Sequence, residues 1–147
     1  MSFKQIDISD KPEVFREATA TGRIRLRRST IELIKEGKLQ KGDALSLASL
    51  TAIAAAKQTS DIVLLCHPLS IEKTEPSVTV GEEWVDVTVK VSATEKTGVE
   101  MEALTAVSVA LLNIWDIVKS YEKDQDGQYP GTMIERIRVT RKVKGKK

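Results

Sequence analysis

The sequence predicts one α+β domain, with elements in the order strand, helices, hairpin, long helix, strand. Three observations lead there. Apolar residues alternate at period two in three separated stretches, the pattern of strands buried on one face. Between them lie segments with apolar residues at helical spacing, bounded by capping and stop signals. At 147 residues, 41% hydrophobic and 30% charged, the chain can bury a sizeable core and is too apolar to be disordered.

Taken in order, Arg16 to Leu26 places Ala18, Ala20, Gly22, Ile24 and Leu26 on one face of a strand. Ser29 or Thr30 can cap a short helix through Ile31, Leu33 and Ile34, which Gly37 stops. Asp43 caps a second, alanine-rich helix to about Lys57. From Ser70 to Thr94 the alternation returns through Val78, Val80, Val85, Val87, Val89 and Val91, with Gly81-Glu82-Glu83 as the turn of a hairpin. A long helix spans about Gly98 to Tyr121. The polar stretch from Glu122 to Pro130 ends it, and Met133 to Thr140 alternates as a last strand. This is the β-α-β-β-α-β plan of ferredoxin-like α+β domains, with an additional helix after the first strand. Neither an internal repeat nor a linker divides the chain, so residues 1–147 read as one domain; the basic run from Arg141 to Lys147 reads as a solvated end.

Composition narrows the function classes. A net charge of +2 exerts no chain-wide pull on nucleic acid, and a sheet that stacked bases would need strand aromatics, of which only Trp84 is expected. A single cysteine forms no internal disulfide, and no charged-then-apolar leader opens the chain, so the expected location is cytoplasmic. No uninterrupted apolar run approaches the roughly 20 residues of a membrane span.

Reactive side chains concentrate in two apolar frames. In Leu64-Leu65-Cys66-His67-Pro68-Leu69 the one cysteine and the one histidine are adjacent, and Pro68 holds His67 extended. Adjacent Cys and His lack metal-ligand spacing, so no metal site is expected; a thiol nucleophile would need a third, orienting group. Thr97-Gly98-Val99-Glu100 matches a capping box, which accounts for Glu100 structurally and leaves Glu102 unexplained. Along the long helix, Glu102, Thr105, Val109, Leu112, Asp116 and Lys119 share one stripe, opposite Ala103, Val107, Ala110 and Ile114. Taken alone, Asp116 and Lys119 read best as a surface i,i+3 ion pair. Against that, Ile114, Trp115, Ile117 and Val118 flank Asp116 and could desolvate it, raising its pKa toward a proton-transfer range. Lys41 precedes a helix N-terminus, a favourable place for phosphate, although taken alone it reads better as an exposed loop lysine. Phosphate-loop and dinucleotide fingerprints are absent from the sequence.

The segments Lys41-Gly42-Asp43, Ala54-Ala55-Ala56-Lys57-Gln58-Thr59-Ser60-Asp61, Leu65-Cys66-His67-Pro68-Leu69, Lys96-Thr97-Gly98-Val99-Glu100-Met101-Glu102-Ala103-Leu104-Thr105-Ala106 and Trp115-Asp116-Ile117-Val118-Lys119 occur in that order. Together they resemble the cyclic pyranopterin monophosphate synthase family, the molybdenum cofactor biosynthesis protein C, from about Asp7 to Gly145. The resemblance implies an enzyme that rearranges a 3′,8-cyclised GTP derivative into a pyranopterin carrying a cyclic phosphate and releases pyrophosphate. It implies ferredoxin-like subunits in hexamers of three dimers, a small-molecule substrate, and no required cofactor beyond magnesium that could accompany the triphosphate. It implies Asp116 as general acid/base with Lys119 beside it, and substrate contacts from Leu65, Cys66, His67, Met101 and Glu102, with Lys41, Arg16, Glu100 and Lys142 at further pocket positions. Two segments depart from the family pattern. Val143-Lys144-Gly145-Lys146-Lys147 replaces a Gly-Gly-Lys-Ser-Gly-like end, and Ser49-Leu50-Thr51-Ala52-Ile53 lacks the usual Arg and Gly. A non-catalytic nucleotide-binding module of the same fold is the alternative.

Spacing adds one expectation. Glu102 and Asp116 are fourteen residues apart, about 21 Å along a helix rising 1.5 Å per residue. A compact pocket using both would therefore draw them from two subunits.

Overall fold

The computed structural model describes residues 1–146. Eight elements follow one another: β1 (Val14–Arg25), α1 (Arg28–Glu36), α2 (Ala44–Lys57), α3 (Thr59–Ile62), β2 (Lys73–Val80), β3 (Trp84–Glu95), α4 (Glu100–Glu122) and β4 (Met133–Gly145). The strands form one antiparallel sheet in the order β2-β3-β1-β4, an α+β arrangement consistent with the ferredoxin-like plan. Strict alternation makes β1 and β3 the central pair, in register from Val14 opposite Glu95 to Arg25 opposite Trp84. Their inward residues, Ala18, Ala20 and Ile24 against Val85, Val87, Val89 and Val91, are fully buried. Burying each valine is worth about 1.5–3 kcal/mol.

On the covered face, α4 lies against β1 and β3 through Ala103, Ala106, Val107, Ala110, Leu111 and Ile114. The alanines of α2 (Ala44, Ala48, Ala52, Ala56), four residues apart, form a shallow stripe against α4. Gly22 makes the close approach of α4 possible: a Cβ there would lie 2.8 Å from both Leu111 and Val107. By length and composition α4 could cross a membrane, but half of its apolar window is buried in this core.

The structure corrects several expectations. Neither Ser29 nor Thr30 caps α1, which starts at Arg28; the Glu122 carboxylate at the end of α4 accepts the Arg27 N–H (3.1 Å) and the Thr30 hydroxyl instead. The capping box at Thr97 does not form, because α4 begins at Glu100 with Val99 as its cap residue. A one-turn helix, α3, was not foreseen. The basic end is not simply solvated: Arg141 to Gly145 extend β4 along β1, while Lys147 lies outside the described residues. Phe15 also falls within β1, so Trp84 is not the one strand aromatic.

Candidate functional site

The candidate residues gather at the two ends of α4. At its N-terminal end, the turn after α3 brings Leu65, Cys66 and His67 beside Glu100, Met101 and Glu102, around a recess of about 420 Å³. The turn is locked by the Cys66 N–H donating to the Val63 carbonyl (3.0 Å). Glu102 is only 4% exposed, and burial, reinforced by the charges of Glu100 and Glu95, holds its carboxyl above the usual carboxylate range. Burial also raises the Cys66 thiol, with Glu102 adding to the effect, so Cys66 is not an activated thiolate. Glu100 folds back over Gly98, where any Cβ would collide with its carboxylate, and pairs with Lys142 of β4 (3.4 Å). Arg16, buried on the covered face of β1, spends Nε and Nη2 on the carbonyls of Glu95 (3.3 Å) and Lys96 (3.2 Å), fixing the chain that leads into α4.

At the other end, Asp116 receives two ammonium groups: Lys119 reaches Oδ1 at 3.1 Å and Lys41 reaches Oδ2 at 3.2 Å. Lys41 also donates to the Asp116 backbone carbonyl (3.2 Å). The apolar flank does not desolvate this carboxylate, whose side chain is 57% exposed. Its pKa is lowered, by Lys119 first and Lys41 second, contrary to the raised value expected from the flanking residues. The reason is helical geometry: Ile114, Ile117 and Val118 turn into the core and leave Asp116 outside. The Gln40 N–H donates to the Tyr121 hydroxyl (2.7 Å), which pins the loop bearing Lys41 to α4. Beside the ion cluster, Leu112, Trp115 and Ile134 line an apolar recess of about 400 Å³, and Tyr129 packs edge-on against Trp115 at 5.1 Å.

Two groups of residues escaped sequence reasoning. The N-terminal arm has no periodicity, yet Lys4, Ile6, Ile8 and Lys11 line the Glu102 recess, and Gln5 donates to the Cys66 carbonyl (3.3 Å). Tyr121 and Gln40 meet only in three dimensions. Among the described residues no three His, Cys, Asp or Glu side chains converge to hold a metal ion.

Residues 5–145 match the MoaC family. The chain belongs to this family. Its relatives are called probable cyclic pyranopterin monophosphate synthase. The Pyrococcus furiosus protein is 51% identical over 141 residues, covering 96% of this chain and 90% of that protein. Proteins of the same name from Thermococcus kodakarensis and Aeropyrum pernix are also 51% identical, over 97% and 95% of this chain and 91% and 96% of their own lengths. The MoaC match takes in both ends of α4, the Cys66-His67 turn, Lys41 and the β4 residues through Gly145.

Proposed function

We propose that this MoaC-family chain is a cyclic pyranopterin monophosphate synthase, acting on a 3′,8-cyclised GTP derivative in molybdenum cofactor biosynthesis. One observation carries the reading: α4 presents a carboxylate gripped by two lysines at one end and a buried carboxyl with a raised pKa at the other. In the proposed reaction a substrate hydroxyl attacks the α-phosphorus, the bond from that phosphorus to the bridging oxygen breaks, and pyrophosphate leaves with that oxygen. Lys41, Lys119 and Lys142 offset the phosphate charge. Asp116 is ionised and accessible, so it accepts the hydroxyl proton. Burial raises the pKa of Glu102, which suits it to exchange a proton with a ring nitrogen or carbon during the purine rearrangement. Leu65, Cys66, His67 and Met101 wall the ring, with Arg16 and Glu100 shaping the approach. No resident cofactor is required; any magnesium arrives with the triphosphate.

The two ends of α4 lie too far apart for one compact pocket, so each pocket in this reading is shared by two protomers, within a cytoplasmic hexamer of three dimers. The deciding experiment supplies the cyclised GTP derivative and follows pyrophosphate together with the fluorescent pterin oxidation product. Wild type should release both and Asp116→Asn neither. Tight nucleotide binding without pyrophosphate from wild type would instead identify a non-catalytic module. Mixing Asp116→Ala with Glu102→Ala protomers should restore activity; a well-mixed, inactive oligomer would sink the shared pocket.

A further inference from the structure

The face of the sheet turned away from the helices carries a second concentration of charge. Arg23 and Asp86 pair across β1 and β3 through two contacts, 2.7 and 2.9 Å, and the Arg23 guanidinium lies 4.6 Å from the centre of the Trp84 ring. Glu135 is held by Arg25 at 2.8 Å and touches Arg136 more loosely, at 3.5 Å. Arg138 has no ion-pair partner among the described residues. Four guanidinium groups thus face two carboxylates, both already engaged. Arg23, Arg136 and Arg138, with Thr21 and Asp86, line a recess of about 210 Å³.

This arrangement depends on a local break in β4. The pairing of β1 with β4 shifts register between Thr21 and Arg23, and Arg136 sits at the extra residue with φ of 61°, the one left-handed non-glycine among the described residues. In an unbroken strand, Glu135 outward would put Arg136 inward, Ile137 outward and Arg138 inward. The bulge reverses this. Ile137 instead turns toward Gly22, its Cγ1 3.0 Å from where a Cβ there would lie, and stays partly exposed, while Arg138 stands opposite Thr21 on the open face beside Arg136. A strained backbone at a β-bulge, aiming two arginines into one recess, is a feature that packing alone does not need.

We propose that this recess is an oxyanion site, taking a ligand with at least two ionised oxygens of the phosphate and pyrophosphate class. Guanidinium forks match such oxygens in pairs, and the engaged state of Asp86 removes most of its repulsion. The recess falls below the roughly 300–1,000 Å³ typical of pockets for larger organic ligands, so it suits an inorganic anion better than a nucleoside. The site lies on the opposite side of the sheet from α4 and depends on none of the residues assigned to the proposed reaction.

Calorimetric titration with inorganic pyrophosphate tests it, using the full chain at about 0.1 M salt, where screening is moderate. Two variants dissect the recess. Arg138→Gln removes one guanidinium, and Arg136→Gly removes the other while supplying the residue that best tolerates a left-handed backbone, so folding is preserved. A Lys41→Ala/Lys119→Ala double variant eliminates the cluster on α4. Pyrophosphate should bind this double variant, and each arginine variant should weaken that binding at least about tenfold, the equivalent of one charge-assisted pair. Inorganic phosphate should bind more weakly at the same place, and a nucleoside triphosphate no more tightly than pyrophosphate. If the lysine variant fails to bind pyrophosphate, or binds it equally well after Arg138→Gln, the proposal fails. Arginine variants that change only the sedimentation of the oligomer would also refute it, by showing that a second copy of the chain occupies this face.

Discussion

Glu122 is the most exacting test of the packing. Its side chain is completely buried, and its carboxylate accepts the Thr30 hydroxyl at 2.5 Å, the Thr132 hydroxyl at 2.7 Å and the Arg27 N–H at 3.1 Å. Its own carbonyl accepts Arg27 Nη2 at 2.9 Å. One side chain thereby ties the end of α4 to the start of α1 and to the segment that leads into β4. Glu122→Leu would strand three donors in a dry site, at about 1–3 kcal/mol each, partly offset because no carboxylate then needs desolvation. The expected loss is about 3–5 kcal/mol, a large share of the roughly 5–15 kcal/mol typical of a domain. Glu122→Gln keeps one acceptor, and the threonine hydroxyls can turn to accept from its amide, so about 1–2 kcal/mol should be lost. Urea denaturation at one fixed protein concentration reads both values. A loss below about 1 kcal/mol for Glu122→Leu, or equal losses for both variants, would refute the reasoning.

Other expectations follow from the same geometry. Carboxyl NMR titration should show the Asp116 pKa rising in Lys119→Met and, to a smaller extent, in Lys41→Met; the acid limb of any activity profile should move up in the same order, and an unchanged Asp116 titration in both would contradict the cluster. Glu102 holds its proton to higher pH when folded than when unfolded, so stability should fall as pH rises from the ordinary carboxylate range through its raised pKa; a urea midpoint that declines in wild type and stays flat in Glu102→Gln is the signature. Gly22→Ala should cost about 1–3 kcal/mol in the same denaturation assay, because its Cβ would meet Leu111 and Val107 at 2.8 Å and Ile137 at 3.0 Å.

Much of the fold is legible in the sequence because period and caps are local signals. The alternation from Ala18 to Ile24 and from Val85 to Val91 locates the central strand pair, and Asp43 does cap α2, accepting from Leu45 N at 3.0 Å and Ser46 N at 3.3 Å. Signals that are satisfied from a distance mislead. Thr30 resembles a cap, but the first turn of α1 is supplied by a carboxylate 92 residues away, and no local pattern encodes that. The alternation from Met133 to Thr140 locates β4 but not its bulge, and pairing with β1 carries Arg141 to Gly145 into the sheet. In the candidate site, the residue types and their grouping on α4 were readable. The sign of the Asp116 shift was not. Flanking isoleucines say how apolar the neighbourhood is along the chain, whereas the pKa depends on which way the helix turns and on Lys41, a loop residue 75 positions away.

The opposite shifts of the two α4 carboxyls bear directly on the proposed chemistry. Cyclic phosphate closure needs a group that takes a proton, and ring rearrangement needs one that gives it. A helix can supply this difference by leaving one carboxylate in water between two ammonium groups and burying the other at the end where β1, β3 and the Cys66 turn converge. The same separation that lets each environment act independently forbids one copy of α4 from bringing both groups to one substrate, since the helix keeps them about 21 Å apart. In the proposed shared pocket, the Asp116 end of one protomer would face the Glu102 end of another. On this reasoning a dissociated protomer should retain both pKa shifts and lose turnover, a pairing of results that ordinary unfolding would not produce.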